Sequence, residues 1–280
     1  MPWVSFDVLR TLGFSDTLYL TPDQVFQHKE EIRAAEWLLF PEYWQLNSLV
    51  YGLNSRVFPS EASYRLGHNK IEMTRAFQLV APTHTPYTMI LANTDYNAEK
   101  VWEEMPLPFI AKLPKASQGN GVWKIETPQD WRDYLARTEV IYVQEYLEID
   151  RDIRVVIVGD QLVASYWRLQ AERGFYNNVS KGGTVDHESP VPQAALDLAM
   201  NLAHTLGVNH AGFDIAMVGE HPYVFEFNRL FGNQGIPGGD VRLREIIEEY
   251  LIRCSIPTIP RFPSKPSTPN TPRRKRRPAA

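Results

Sequence analysis

The sequence predicts an α+β chain of mixed α/β class, on three observations. Apolar runs of strand length and segments of helical periodicity follow one another without a regular strand–helix–strand rhythm. The dipeptides Gly159-Asp160 and Gly219-Glu220 each join two apolar runs, as hairpin turns do. At 44% hydrophobic residues, a chain of 280 has material for a sizeable core.

The elements follow in order. Asp16 to Leu20 and Glu36 to Phe40 read as strands. Between them Thr21-Pro22-Asp23-Gln24 opens a helix, with Thr21 as cap and Pro22 at the first position, where a missing N–H costs nothing. Residues 1–62 thus form a short β/α unit, small for independent stability. Met73, Ala76, Phe77 and Val80 recur at helical spacing and predict a helix over 69–80, ended by Pro82 and Pro86. A short helix follows over 97–105. Phe109 to Leu113 and Val122 to Glu126 read as strands around the small-residue loop 115–121. Thr127 and Pro128 start a helix to about Arg137. Val140 to Leu147 is a strand. Asp152 to Val158 and Leu162 to Leu169 form one hairpin, and Phe213 to Val218 and Tyr223 to Asn228 another. Helices span 194–206, closed by Gly207, and 241–252. Residues 63–256 make up the main domain.

Charge separates the rest. The chain has 29 Lys+Arg against 33 Asp+Glu, yet seven of the basic residues and no acid lie in 257–280. Residues 1–256 therefore carry a net −11, which argues against a protein that coats nucleic acid with its whole surface. The same 24 residues hold seven of the 21 prolines, and such a segment buries too little to offset its ordering entropy. The expectation is a disordered basic tail, whose run 273–277 suits an acidic partner or plain solvation. The single cysteine, Cys254, excludes an internal disulfide and a cysteine-based zinc site. No signal-like start and no membrane-length apolar run is present, so the expected location is cytoplasmic.

Three groups carry candidate chemistry. The loop Lys115 to Gly121 lets backbone N–H groups approach phosphate, but it lies between strands, unlike the usual phosphate loops. A plain hairpin turn stays open as its alternative. Lys112 sits in an apolar strand, where a charge is costly unless paired. It is either a phosphate partner or a lysine guarding a sheet edge. Glu226 and Asn228, two apart, share a strand face, and Asp214 on the partner strand joins it. Phe213, Ile215, Phe225 and Phe227 are then expected on the opposite, core face. Two carboxylates and an amide make an all-oxygen site suited to Mg²⁺; a solvated polar face is the alternative. Arg154 and Arg168 lie on one hairpin, either as anion-binding forks or as surface partners of Glu148, Asp150 and Asp152. The seven histidines show no metal-ligand spacing and are read as structural or exposed. No G-x-S-x-G motif supports a hydrolase triad.

The order of these pieces is more specific than any one of them. Lys112 and Ser117-Gln118-Gly119-Asn120-Gly121 precede Val143 to Leu147. Asp152-Ile153-Arg154, Arg168, Asn178 with Lys181-Gly182-Gly183, Gly212 to Ile215, and Glu226-Phe227-Asn228 follow. Over residues 58–240 this resembles the ATP-grasp superfamily and, within it, the RimK-type ligases that add glutamate or a similar amino acid to a carboxylate. The resemblance implies an ATP-grasp fold, two α+β subdomains enclosing ATP, with the loop around Ser117, Gly119 and Gly121 as a lid. It implies that Lys70 and Lys112 contact phosphates and that Gln144, Glu145, Tyr146 and Leu147 form the adenine hinge. Asp152 is implied near the ribose. Asp214, Glu226 and Asn228 match ligands of two Mg²⁺ ions, for which Mn²⁺ can substitute. Arg154, Arg168 and Asn178 match the residues around the γ-phosphate and the acyl phosphate. The implied activity is amide formation between a carboxylate acceptor (peptide, protein or small metabolite) and an amino acid such as glutamate, through an acyl phosphate, releasing ADP and phosphate. An ATP-grasp kinase and a nucleotide-binding module without turnover are the alternatives, the second requiring a missing metal ligand. Three departures bear on the acceptor. Arg229-Leu230-Phe231-Gly232 replaces the family's usual Ala-Ser-Pro-Gly, Gly232 to Gly239 is unusually glycine-rich, and the N-terminal unit is short.

Overall fold

The computed structural model describes residues 3–114, 121–169, 184–233 and 235–255. Strand β1 (Trp3–Ser5) runs into a turn that ends in helix α1 (Val8–Thr11). Asp7 caps that helix by accepting from the Arg10 N–H at 3.1 Å. Strand β2 (Thr17–Tyr19) follows. The helix expected from Thr21 is a 3-10 turn over Pro22–Phe26, closed by i to i+3 bonds such as Gln27 N–H to the Gln24 carbonyl at 3.0 Å. The α-helical segment α2 starts only at Lys29 (Lys29–Ala34). With β3 (Leu38–Leu39) and β4 (Val57–Phe58) the strands form a parallel sheet in the order β2-β1-β3-β4.

Helices α3 (Glu61–Leu66) and α4 (Lys70–Val80) come next. Asn69 caps α4 through the Ile71 N–H, and the helix buries Met73 and Phe77 as its periodicity predicts. Strand β5 (Thr88–Ala92), helix α5 (Asp95–Glu104), strands β6 (Phe109–Lys112) and β7 (Val122–Ile125), helix α6 (Pro128–Leu135) and strand β8 (Val140–Glu145) build an antiparallel sheet. Its order is β5-β8-β6-β7, with a core of Phe109, Val101, Trp131, Tyr134 and Val143.

A second antiparallel sheet, in the order β11-β10-β9-β12-β13, contains β9 (Arg151–Val158), β10 (Gln161–Leu169), β11 (Thr184–Asp186), β12 (His210–Val218) and β13 (His221–Asn228). Alternation gives its two faces different fates. Ile153, Val155, Ile157, Phe213 and Phe227 pack under α4 and α7 (Gln193–Leu206). Gly207 ends α7 at φ 69°, a left-handed conformation that favours glycine. On the other face Val156, Val158 and Tyr166 pack with α8 (Gly239–Ser255), with Trp3 and Phe58 of the parallel sheet and with Trp37 just before β3. The remainder of that face is polar. Among the described residues no helix is long and apolar enough to cross a membrane.

Candidate active site

The polar face is a charge ladder set by register. Arg168 on β10 lies opposite Asp152 on β9, Arg154 lies opposite Asp214 on β12, and Asp214 lies opposite Glu226 on β13. Directly opposed residues share a face, so two arginines and three carboxylates line one face across four strands. Asp152 accepts from Arg168 Nε and Nη2, each at 2.7 Å. The second carboxylate, Asp214, meets Arg154 Nε at 2.8 Å and Arg168 Nη2 at 3.1 Å. All four side chains are buried, so the expected alternative of surface salt bridges is replaced by a buried network. Burial pushes the Asp152 carboxyl up, against the pull of Arg168. For Arg168, burial is outweighed by Asp214 and Asp152, which hold the guanidinium charged.

Asn228 lies opposite Gly212, two positions from Glu226 and on the same face. A side chain at Gly212 would collide with the Arg154 guanidinium, whose Nη1 would lie 2.5 Å from its Cβ, so glycine there admits the arginine. Lys70, at the start of α4, donates to Glu226 Oε2 at 2.5 Å. Burial acts to raise the Glu226 carboxyl, but Lys70 and Lys112 outweigh it and hold the group down at about 2.

One expectation for this hairpin is corrected. A bulge after Asp214 pairs Ile215 with Val224, so Val224 enters the core and Phe225 does not. The Phe225 ring instead lies 5.6 Å from the Lys112 ammonium, bridging the two antiparallel sheets.

Lys112 is on β6, an inner strand between β8 and β7, which rules out the edge-guard reading. It is buried and donates to Gln144 Oε1 on β8. Gln144 Nε2 in turn donates to Thr88 Oγ1 at 2.9 Å. Burial pushes the Lys112 amine down to about 8, against the attraction of Glu226 and Asp214.

Beyond Glu145 the hinge segment leaves the sheet. The Glu145 backbone N–H donates to the Tyr87 carbonyl at 2.9 Å, and β8 ends there rather than at Leu147. Tyr146 then lines a cavity of about 650 Å³ that also meets Arg151, Trp167 and Met217. That volume falls within the range of small-molecule sites. Met217 and Trp167 gave no signal in the sequence, because an apolar residue in a strand reads as core. Gly121 is at φ 111° and its carbonyl accepts from the Leu113 N–H at 2.7 Å. Ser117, Gly119, Asn178, Lys181 to Gly183 and the tail 257–280 lie outside the described residues.

Among the described residues no group of three or more His, Cys, Asp or Glu side chains is placed to hold a metal ion. Asp214 and Glu226 give two carboxylates and Asn228 an amide oxygen. A hard cation there would complete its shell from other oxygens, as Mg²⁺ does with phosphates. The donor set therefore fits a magnesium–nucleotide pair better than a metal held by protein alone.

Comparisons with known proteins agree with this geometry. Residues 70–245 match the RimK-like ATP-grasp domain family. A probable alpha-L-glutamate ligase of Syntrophotalea carbinolica is 30% identical over 195 residues, which cover 67% of this chain and 62% of that protein. A ribosomal protein bS6–L-glutamate ligase of Escherichia coli is 31% identical over 194 residues, covering 66% and 62%. The chain thus matches less than two thirds of the length of these relatives. Among solved structures, the RimK-domain ATP-grasp protein of Sphaerobacter thermophilus superposes with a TM-score of 0.68 at 15% identity, covering 89% of this chain and 99% of the other. The D-alanine–D-alanine ligase of Bacillus anthracis complexed with ATP gives 0.64 at 13%, covering 91% and 98%.

Proposed function

Because the chain belongs to the RimK-like ATP-grasp family, we propose that it is an ATP-dependent carboxylate–amine ligase. The observation that carries the reading is the ladder itself. Asp214, Glu226 and Asn228 share one face with Arg154 and Arg168, Lys70 contacts Glu226, and Lys112 feels Glu226 and Asp214 from the other sheet.

A carboxylate is a poor acceptor for an amine, since its leaving group would be oxide. Transfer of the γ-phosphoryl group of ATP makes an acyl phosphate. The amine attacks its carbonyl, the C–O bond to phosphate breaks, and phosphate leaves with the electron pair. No protein nucleophile is needed. The chain's task is positioning and charge neutralisation on the moving phosphoryl group. Lys112 and Lys70 neutralise the phosphate chain, and Arg154 and Arg168 the transferred group. Asp152, with both oxygens on Arg168, fixes that guanidinium's plane and is assigned as a positioning residue rather than a ribose contact. Asp214, Glu226 and Asn228 would hold Mg²⁺, which would supply Lewis-acid polarisation of phosphoryl oxygens. Lys70 holds Glu226, and Arg154 and Arg168 hold Asp214, so the cations stand beside the same carboxylates.

The catalytic unit is assigned to residues 63–256, with the acceptor's carboxylate beside Arg229-Leu230-Phe231. The relatives' names favour a protein or peptide acceptor and glutamate as the amine. A single cysteine and use of ATP suit the cytoplasm, and the basic run 273–277 suits an acidic acceptor. The test is incubation with ATP, Mg²⁺, L-glutamate and a panel of peptides. An amide product formed in step with ADP and phosphate is expected. A stable phosphate ester would make the chain a kinase, and absence of nucleotide turnover with every acceptor would overturn the reading.

A further inference from the structure

A second cavity, of about 190 Å³, lies where the start of β12 meets α8 and the turn after β1. Its lining includes His210, Asn233, Asp7, Arg10, Asp240 and Arg244. His210 is fully buried. Its Nδ1 lies 2.6 Å from the Arg229 carbonyl, which can only accept, so Nδ1 carries the proton and Nε2 presents a lone pair. That Nε2 has no partner. Asn233 repeats the pattern. Its Nδ2 donates to Asp240, which fixes the amide's orientation, and its buried Oδ1 has no partner. Two fixed neutral acceptors without donors are costly in a folded protein unless something donates to them. Around them stand two carboxylates and two guanidinium groups, a lining of balanced charge.

The cavity is separate from the charge ladder. His210, Gly212 and Asp214 share a face of β12, with about 13 Å between the first and the last at strand rise. Phe231 stands between. Its ring stacks on His210 at 4.7 Å, and its Cβ would lie 3.1 Å from a Cβ at Gly212.

We propose that this cavity is a second ligand site, which takes a small α-amino acid. The ammonium donates to His210 Nε2 and Asn233 Oδ1, and the carboxylate accepts from Arg10 and Arg244. The size excludes a nucleotide and the paired acceptors demand a donor. Arg10, bridged to Asp7 through Nε at 3.2 Å, and Arg244, which donates to the Leu9 carbonyl at 3.4 Å, each have further N–H groups to offer an anion in the same molecule. An occupant is connected to Asn228 through the segment 228–231, which touches His210 at Arg229 and again at Phe231.

The site needs neither ATP nor turnover, so its test is independent of the ligase reading. Calorimetry of the full chain, without nucleotide or Mg²⁺, uses glycine, L-alanine and L-glutamate as probes, with acetate and methylammonium as half-molecule controls. At least one amino acid is expected to bind saturably and the controls not at all. His210→Phe, which preserves the stack on Phe231, and Asn233→Leu should each weaken binding at least about tenfold, the scale of one buried hydrogen bond. Asp214→Asn should leave it unchanged. No heat up to millimolar probe, binding that survives both cavity substitutions, or binding lost in Asp214→Asn would each overturn the proposal. So would a soaked crystal holding only water in the cavity. If His210→Phe does not fold, Asn233→Leu decides.

Discussion

In the four-stranded antiparallel sheet Lys112 meets a neutral amide, whereas in the five-stranded sheet Arg154 and Arg168 are shared between Asp152 and Asp214. Both arrangements bury positive charge, but by opposite means. Gln144 orients the lysine without cancelling its charge, and burial drives the amine down to about 8. The arginines are ion-paired with carboxylates on neighbouring strands. On the proposed reading the lysine is the cation that takes a phosphate. The arginine network is closed as ion pairs, and on the proposed reading it fixes the geometry around the transferred group. One sheet stores affinity and the other stores order.

The contrast predicts that substitutions in the two sheets fail differently. Arg168→Met strips Asp152 of its partner and leaves Asp214 with Arg154 alone. The expected loss is about 3–5 kcal/mol of stability, measured by urea unfolding. A loss below 1 kcal/mol would mean that the network is not closed. Lys112→Met should do the reverse. Turnover falls at least about 10²-fold, while the melting temperature stays level or rises below pH 8, because the buried charge opposes folding. A large melting loss would erase the distinction between the sheets.

His210 adds an uncharged member to the five-stranded sheet, where burial pushes the imidazole down to about 3 from an ordinary 6.5. Between those values the unfolded chain binds a proton that the folded chain refuses. Stability must therefore fall as pH drops through that window, by about 1.4 kcal/mol per unit. His210→Phe should flatten this slope in denaturation series at pH 4, 5 and 6. An unchanged slope would place the acid sensitivity in the carboxylates instead. The smallest effect is expected at Thr88→Val, which removes the hydroxyl that steadies Gln144. A few-fold loss of turnover with unchanged stability would support orientation of Lys112 through the amide, and no change in either quantity would remove Thr88 from the chain of contacts.

Much of this was legible before any coordinates. The spacing of Met73 and Phe77 fixed α4, the turns at Gly159 and Gly219 fixed two hairpins, and the two-residue step from Glu226 to Asn228 fixed a shared face. What stayed hidden has physical causes. Strands β1 and β4 have three and two residues, too few for a period to show. In β5 only Met89 is buried, so an edge strand lacks alternation. The bulge that turns Phe225 toward Lys112 changes register by one residue, which no apolar pattern records. Whether Lys112 sits inside or at the rim of a sheet depends on strand order. The bare acceptors of His210 and Asn233 depend on groups 19 and 7 residues away along the chain.

The last helix closes the first sheet. Trp37 Nε1 donates to Ser255 Oγ at 3.0 Å across 218 residues, and Trp3, Phe14 and Phe58 share a core with Leu243, Ile247 and Leu251 of α8. During synthesis the apolar side of the parallel sheet therefore emerges early and waits, uncovered, for nearly the whole chain to be made. Such long-range closure slows folding and leaves a sticky surface exposed in the meantime. The nascent chain should thus depend on chaperones until α8 clears the ribosome, and a truncation that removes α8 should aggregate rather than fold into a shorter protein.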